Sequence, residues 1–142
     1  NVNAILEAIT RDGTRPVMGQ QYLPAVREGD KRIIMLDGRP LGGVWRIPQE
    51  DETRGNIHVG GLVAPAKVTD RDREICARLA PRLAADGLYF VGLDVIGGYV
   101  TEINVTSPTG VQEIDRFDGV TLSAAVIDFV EARAPSAGDP TH

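Results

Sequence analysis

Two carboxylates and an amide, Asp94, Glu102 and Asn104, fall within one alternating stretch, GLDVIGGYVTEINVTSPTG at residues 92–110. Brought onto one face, the two acids repel each other and make a poor neighbourhood for an empty site. They suit a hard divalent cation, because magnesium takes oxygen ligands from few residues and keeps positions for water and phosphate. A second set is basic. Lys31 and Arg32 open one β-prone run, Arg46 closes the next, and Arg54 lies in a glycine-bearing stretch. Guanidinium groups bind phosphate bidentately, so arginines converging on a carboxylate-bound magnesium would form a nucleoside triphosphate site. The plainer alternative is a solvated strand face with ordinary surface arginines. The spacing D-x7-E-x-N is loose enough to leave both readings open.

The hydrophobic pattern decides whether the oxygen donors can share a face. Residues 92–110 read as two antiparallel strands around a glycine pair. A loop of Gly97-Gly98 alone would set Glu102 opposite Leu93 and force a carboxylate among core side chains, which is costly. A three-residue loop, 97–99, sets Asp94 opposite Glu102 and gathers Val91, Leu93, Val95, Ile103 and Val105 on the other face. A one-residue slip exchanges the faces of a whole strand, so burial selects this register. The odd loop is therefore expected, with a glycine at positive φ.

The other elements are read from period and punctuation. Residues 2–9 carry a helical stripe of Ile5, Leu6 and Ile9 that Asp12-Gly13 ends. Residues 16–24 read as a strand closed by Pro24, and 31–36 and 41–47 as a hairpin around Asp37-Gly38. Gly42-Gly43 suggests a bulge or a close backbone approach. Arg32 and Arg46 share a sheet face only with such a bulge or with a longer turn. From 48 to 61 both periodicities stop, which reads as a long loop. Thr69 caps a helix over 69–86 whose buried stripe is Ile75, Leu79 and Leu83, with Pro81 expected to bend it. Cys76 beside that stripe is a small core residue before it is a nucleophile. A last helix over 120–133 presents Leu122, Val126, Phe129 and Val130. The order gives an α+β domain over 1–134, with antiparallel strands and helices packed on one face, and a frayed tail over 135–142.

Composition narrows the partners. A 142-residue chain with 42% hydrophobic content is one domain by default. A net charge of −5 argues against general nucleic-acid or membrane-surface binding. A single cysteine excludes an internal disulfide framework and fits a reducing compartment. No apolar stretch is long enough to span a bilayer. His58 and His142 are too far apart to read as a metal pair. The start at Asn1, directly in a helical pattern, reads as a piece of a longer chain.

The segments QYLPAVREGDKR, WRIP, ETRGN, FVGLDVIG and TEINVTSPTG, in this order and spacing, resemble the carboxy-terminal half of bacterial glutathione synthetases, an ATP-grasp ligase family. The resemblance runs from about Thr14 to near Arg133. It implies an ATP-grasp carboxy-terminal subdomain in a cytoplasmic, homo-oligomeric ligase joining γ-glutamylcysteine to glycine through an acyl phosphate. Under it, Glu102 and Asn104 match magnesium or manganese ligands and Asp94 a further acidic position at the metal. Gln20, Gln21, Tyr22 and Leu23 match the stretch that holds adenine, and Asp30 a residue near the ribose. Arg32 and Arg46 match cations facing the phosphates and the acyl phosphate. Arg54 lies in a segment matching the mobile lid, and Ser107, Pro108 and Thr109 match the turn lining the peptide and glycine pocket. Two departures stand out: the spacing at 41–44 is one residue short, and Leu62 replaces a basic residue. The resemblance places the phosphate-binding lysines and glycine-rich loop before Asn1, so the 142 residues alone are expected to be inactive. The alternatives are an ATP-grasp ligase for another dipeptide or amino acid, and a non-catalytic nucleotide-binding module.

Overall fold

The computed structural model describes residues 1–48 and 62–134. Its centre is a five-stranded, wholly antiparallel sheet in the order β3-β2-β1-β4-β5. The strands are β1 (Asp30–Leu36), β2 (Arg39–Ile47), β3 (Leu62–Ala66), β4 (Phe90–Ile96) and β5 (Tyr99–Asn104). Four helices accompany them: α1 (Val2–Thr10), α2 (Asp70–Ala85), α3 (Val111–Asp118) and α4 (Leu122–Glu131). The α+β reading holds.

Alternation along β1 sends its side chains to two different cores. Ile33 and Met35 join Val91, Leu93 and Val95 of β4 beneath Ile75, Cys76 and Leu83 of α2. Ile34 and Val44 join Ile114 of α3, with Leu122 of α4 packed alongside. Helices therefore cover both faces, not one: β1 and β4 alternate but bury both of their sides, and each side needs its own cover.

Turn chemistry sets the strand entries. Asp37 and Gly38 both have positive φ and form a two-residue turn pairing Leu36 with Arg39. Further along, Ile34 pairs with Gly42 but Met35 with Pro40, so Leu41 is an extra residue in β2. That bulge shifts the strand's phase and sets Arg46 opposite Asp30. Gly42 also meets the close approach expected of it, since a Cβ there would lie 2.7 Å from the Ile114 side chain. α2 starts at a capping box in which the Thr69 hydroxyl accepts from the Asp72 N–H and the Asp72 carboxylate accepts from the Thr69 N–H.

Several elements differ from the sequence reading. Residues 16–23 form no strand but irregular chain leading to a 3₁₀ turn, Pro24–Glu28. β3 and α3 were not anticipated. β3 contains Pro65, which an edge strand tolerates because one side of its backbone needs no partner. α3 is eight residues long and has no side-chain cap to mark its start, although Val111, Ile114 and Phe117 form its apolar stripe. The stripe of α1 is formed, yet Ile5, Leu6 and Ile9 are exposed. Ile103 and Val105 are exposed as well, at the free edge of the sheet. The long loop expected at 48–61 falls almost wholly outside the described residues, as does the tail at 135–142.

Candidate functional site

The oxygen donors do share a face, by a different route from the three-residue loop. Gly97 and Gly98, at φ 56° and 80°, form a two-residue turn that pairs Ile96 with Tyr99. Val95 then pairs with Val100 but Asp94 with Glu102, so Thr101 is bulged out. Its hydroxyl donates to the Asp94 carbonyl at 3.2 Å. The bulge supplies the odd residue that the loop was expected to supply.

Register builds the site in rows across the sheet. One row runs Arg32, Asp94, Glu102; the next runs Ile34, Gly92, Asn104; the preceding one pairs Arg46 with Asp30. Arg32 and Asp94 form a bidentate pair, Nε to Oδ1 and Nη2 to Oδ2, the latter at 2.9 Å. Arg32 Nη1 donates to the Thr109 carbonyl at 3.1 Å. Asp94 Oδ2 also meets Arg46 Nη2 at 2.7 Å. Arg46 Nε donates to Asp30 at 2.9 and 3.2 Å, and its Nη2 pairs with the same carboxylate. Asp30, Arg32 and Asp94 are each 5% exposed or less.

Paired charges explain how these groups stay ionised out of water. Burial would raise the Asp94 carboxyl, but Arg32 and Arg46 outweigh it and hold the group below the usual carboxylate range. Burial would lower Arg46, yet Asp30 and Asp94 raise it. Glu102 is exposed, and Asn104 half-buried beside it. With its amide nitrogen toward Glu102, Asn104 donates to Oε1 at 2.9 Å and accepts from Arg32 Nη2 at 3.2 Å.

The donor set fits a divalent cation. Glu102, its row partner Asp94 and Asn104 of the next row bring carboxylate and amide oxygens, the donors a hard cation takes, onto one face. Among the described residues no cluster of three or more His, Cys, Asp or Glu forms a metal cage. Magnesium sites of one or two carboxylates plus phosphate oxygens need none.

The turn after β5 closes over the arginine. Ser107 has φ 49° and Pro108 is buried. A Cβ on Gly92 would lie 2.7 Å from Pro108 Cβ and 3.2 Å from Arg32 Cδ. The missing side chain at Gly92 makes room for both. Gln20, Gln21 and Tyr22 are exposed and Leu23 half-buried, in the irregular stretch before the 3₁₀ turn. That turn abuts the β4–β5 hairpin, where a Cβ on Gly97 would meet Ala25 at 3.2 Å. Arg54 and His58 lie outside the described residues.

Sequence reasoning missed the back of the site. Lys31 is buried on the opposite face from Arg32, its Nζ 2.6 Å from Asp72 Oδ2 and 5.3 Å from the centre of the Trp45 ring. The pattern Thr69-x-x-Asp72 and the cross-strand partnership of Lys31 with Trp45 were the available signals.

The family profile described as prokaryotic glutathione synthetase, ATP-grasp domain, matches residues 1–119. The chain belongs to this family. It is 60% identical over 131 residues to a glutathione synthetase of Synechocystis sp., covering 92% of this chain and 41% of that protein. The glutathione synthetase of Thermosynechococcus vestitus is 61% identical over 130 residues, with the same coverage. That of Brucella melitensis biotype 1 is 52% identical over 133 residues, covering 94% and 43%. The chain thus spans about two-fifths of the length of these family members. A solved structure of the ATP-grasp ligase PsnB complexed with minimal precursor shares the fold, with a TM-score of 0.65 at 18% identity. It covers 94% of this chain and 43% of that one.

Proposed function

We propose that the polypeptide containing this chain is an ATP-dependent carboxylate–amine ligase that joins γ-glutamylcysteine to glycine. The observation that supports it most is the family match over 1–119, which spans both the arginine pair and the Asp94, Glu102, Asn104 face. The γ-phosphoryl group passes from ATP to the cysteinyl carboxylate, breaking the bond to the β-phosphate oxygen and forming an acyl phosphate. The glycine amine then attacks the acyl carbon, phosphate leaves with the bonding electrons, and the nitrogen loses a proton.

Glu102 and Asn104 would hold a divalent cation, magnesium or manganese, with Asp94 adjoining. Bound there, it supplies charge neutralisation on the transferring phosphoryl group. Arg46 contributes a fixed positive charge on the same face, preorganised by its carboxylate partners. Arg32 ties β1 to β4 and to the 107–110 turn, and so shapes the wall formed by Ser107, Pro108 and Thr109 against the peptide and glycine. Backbone groups of Gln20, Gln21, Tyr22 and Leu23 read the adenine edge. Arg54 belongs to a lid that excludes water from the acyl phosphate. The enzyme works in the cytoplasm as a homo-oligomer. Among the described residues no helix is long and apolar enough to cross a membrane.

The test is product analysis on the full-length polypeptide with ATP, γ-glutamylcysteine and glycine. The expected result is ADP, phosphate and glutathione in equal amounts, with no turnover by the 142 residues alone. Turnover only with another acceptor would favour a different ATP-grasp ligase. Nucleotide binding without turnover would favour a non-catalytic module.

A further inference from the structure

We propose that Thr101 is a positioning residue: its bulge in β5, pinned by its hydroxyl to the backbone of β4, aims Glu102 and Asn104 at the divalent cation. The inference rests on the ligase reading above, through its cation site. In β5, Val100 pairs with Val95 and Glu102 with Asp94, which leaves Thr101 without a partner in the ladder. A bulge of this kind bends its strand, increases the local twist and re-aims the side chains beside it. Glu102 follows the bulge directly, and Asn104 lies two residues on, on the same face. With its amide nitrogen toward Glu102, Asn104 reaches Oε1 at 2.9 Å, so the two side chains converge on one spot.

Phase alone does not call for the bulge. A β5 without Thr101 would still set Glu102 opposite Asp94, Ile103 opposite Leu93 and Asn104 opposite Gly92, in an unbroken ladder from the Gly97-Gly98 turn. What the extra residue adds is direction. The Thr101 hydroxyl holds that direction by donating to the Asp94 carbonyl at 3.2 Å, where the ladder is interrupted. Among the described residues β5 is the edge strand, so no outer strand clamps the bulge from its other side. The bond also runs to the residue whose carboxylate stands between Arg32 and Glu102 in the row across the sheet. It therefore ties the aim of Glu102 to the position of Asp94. A β-branched side chain has few χ1 rotamers, so threonine keeps its hydroxyl in place. Thr101 acts through Glu102 and Asn104 and does not itself touch the cation.

The test is manganese binding in the presence of ATP, followed by electron paramagnetic resonance, with ligation kinetics and urea unfolding alongside. It compares the full-length polypeptide with Thr101→Val, Thr101→Ser and a deletion of Thr101. Thr101→Val keeps the shape and loses the hydroxyl. It should weaken manganese binding about tenfold and lower kcat on a similar scale, the effect of removing a group that orients a metal ligand. Its affinity for ATP without the metal should match the parent. Thr101→Ser restores the donor and should bind manganese as the parent does. The deletion keeps the register but removes the bulge, and should bind no more tightly than Thr101→Val. A Thr101→Val variant with parental manganese affinity and only a lowered urea midpoint would make Thr101 a purely structural residue and overturn the proposal. So would a Thr101→Ser variant as impaired as Thr101→Val, or a deletion variant of parental affinity. The manganese comparison does not depend on turnover: a parent that binds the ion at Glu102 but makes no glutathione would sink the ligase reading and leave the positioning role standing. Manganese binding that Glu102→Gln leaves unchanged would sink both.

Discussion

Individual side chains divide between a face carrying Asp30, Arg32, Arg46 and Asp94 and an opposite face on which Lys31 pairs with Asp72. Asp72 accepts from both the Thr69 N–H and Lys31, and so joins the start of α2 to the underside of β1. Burial would raise its carboxyl, but Lys31 and Thr69 prevail and hold it below the ordinary value. A folded pKa below the unfolded value of about 3.9 gives stability that is fully present above that pH and lost as pH falls through the lower folded value. Asp72→Asn should therefore flatten the acid limb of a urea-unfolding series below pH 4 and cost about 3 to 5 kcal/mol near neutrality, as for a broken buried pair. An unchanged acid limb would contradict this. Cys76 gives a second test. It is fully buried, and burial, helped by the Asp72 charge, pushes its thiol up to about 11. A thiol reagent at pH 8 should label it only as fast as the protein unfolds, and immediate labelling would place it at the surface. The core role of Cys76 was legible in the sequence because its helical stripe was. The burial of Lys31 was not, since a lysine beginning a strand reads as solvated until Asp72 and Trp45 are seen around it.

At the scale of elements, the hairpin shows how far patterning reaches. That Asp94 faces Glu102 followed from the need to keep a carboxylate out of the core, and β4 and β5 do pair so. Where the extra residue sits did not follow, because a longer loop and a bulge at Thr101 restore the same phase. The bulge in β2 was legible in part, through Gly42-Gly43. β3 is five residues long and contains a proline, so its pattern was not legible; α3 does carry a stripe of Val111, Ile114 and Phe117, but it is only eight residues long and no side-chain cap marks its start. α3 is placed by Ile114 entering the space over Gly42. Gly92 tests the fit of β4 to the 107–110 turn. Gly92→Ala must displace Pro108 or Arg32, at a cost of about 1 to 3 kcal/mol. A urea midpoint that drops accordingly, with a raised KM for the peptide substrate, is expected. An unchanged midpoint would mean that the turn packs elsewhere.

The described residues form a sheet covered on both sides, and the charged face around Arg32 abuts Thr109 and Gly110 at the start of α3. Ile5, Leu6 and Ile9 of α1, and Tyr99, Val100 and Ile103 of β5, remain exposed. The chain covers only about two-fifths of the length of the glutathione synthetases it resembles. Under the proposed function, Glu102 and Asn104 of this sheet bind the divalent cation that accompanies ATP. The most direct measurement is manganese binding by electron paramagnetic resonance, with and without ATP, on the full-length polypeptide and its Glu102→Gln, Asn104→Ala double variant. Tight, ATP-enhanced manganese binding that weakens at least about tenfold in the variant is expected, the scale of a lost metal-site group. Equal manganese binding by the two proteins, both folded, would contradict it.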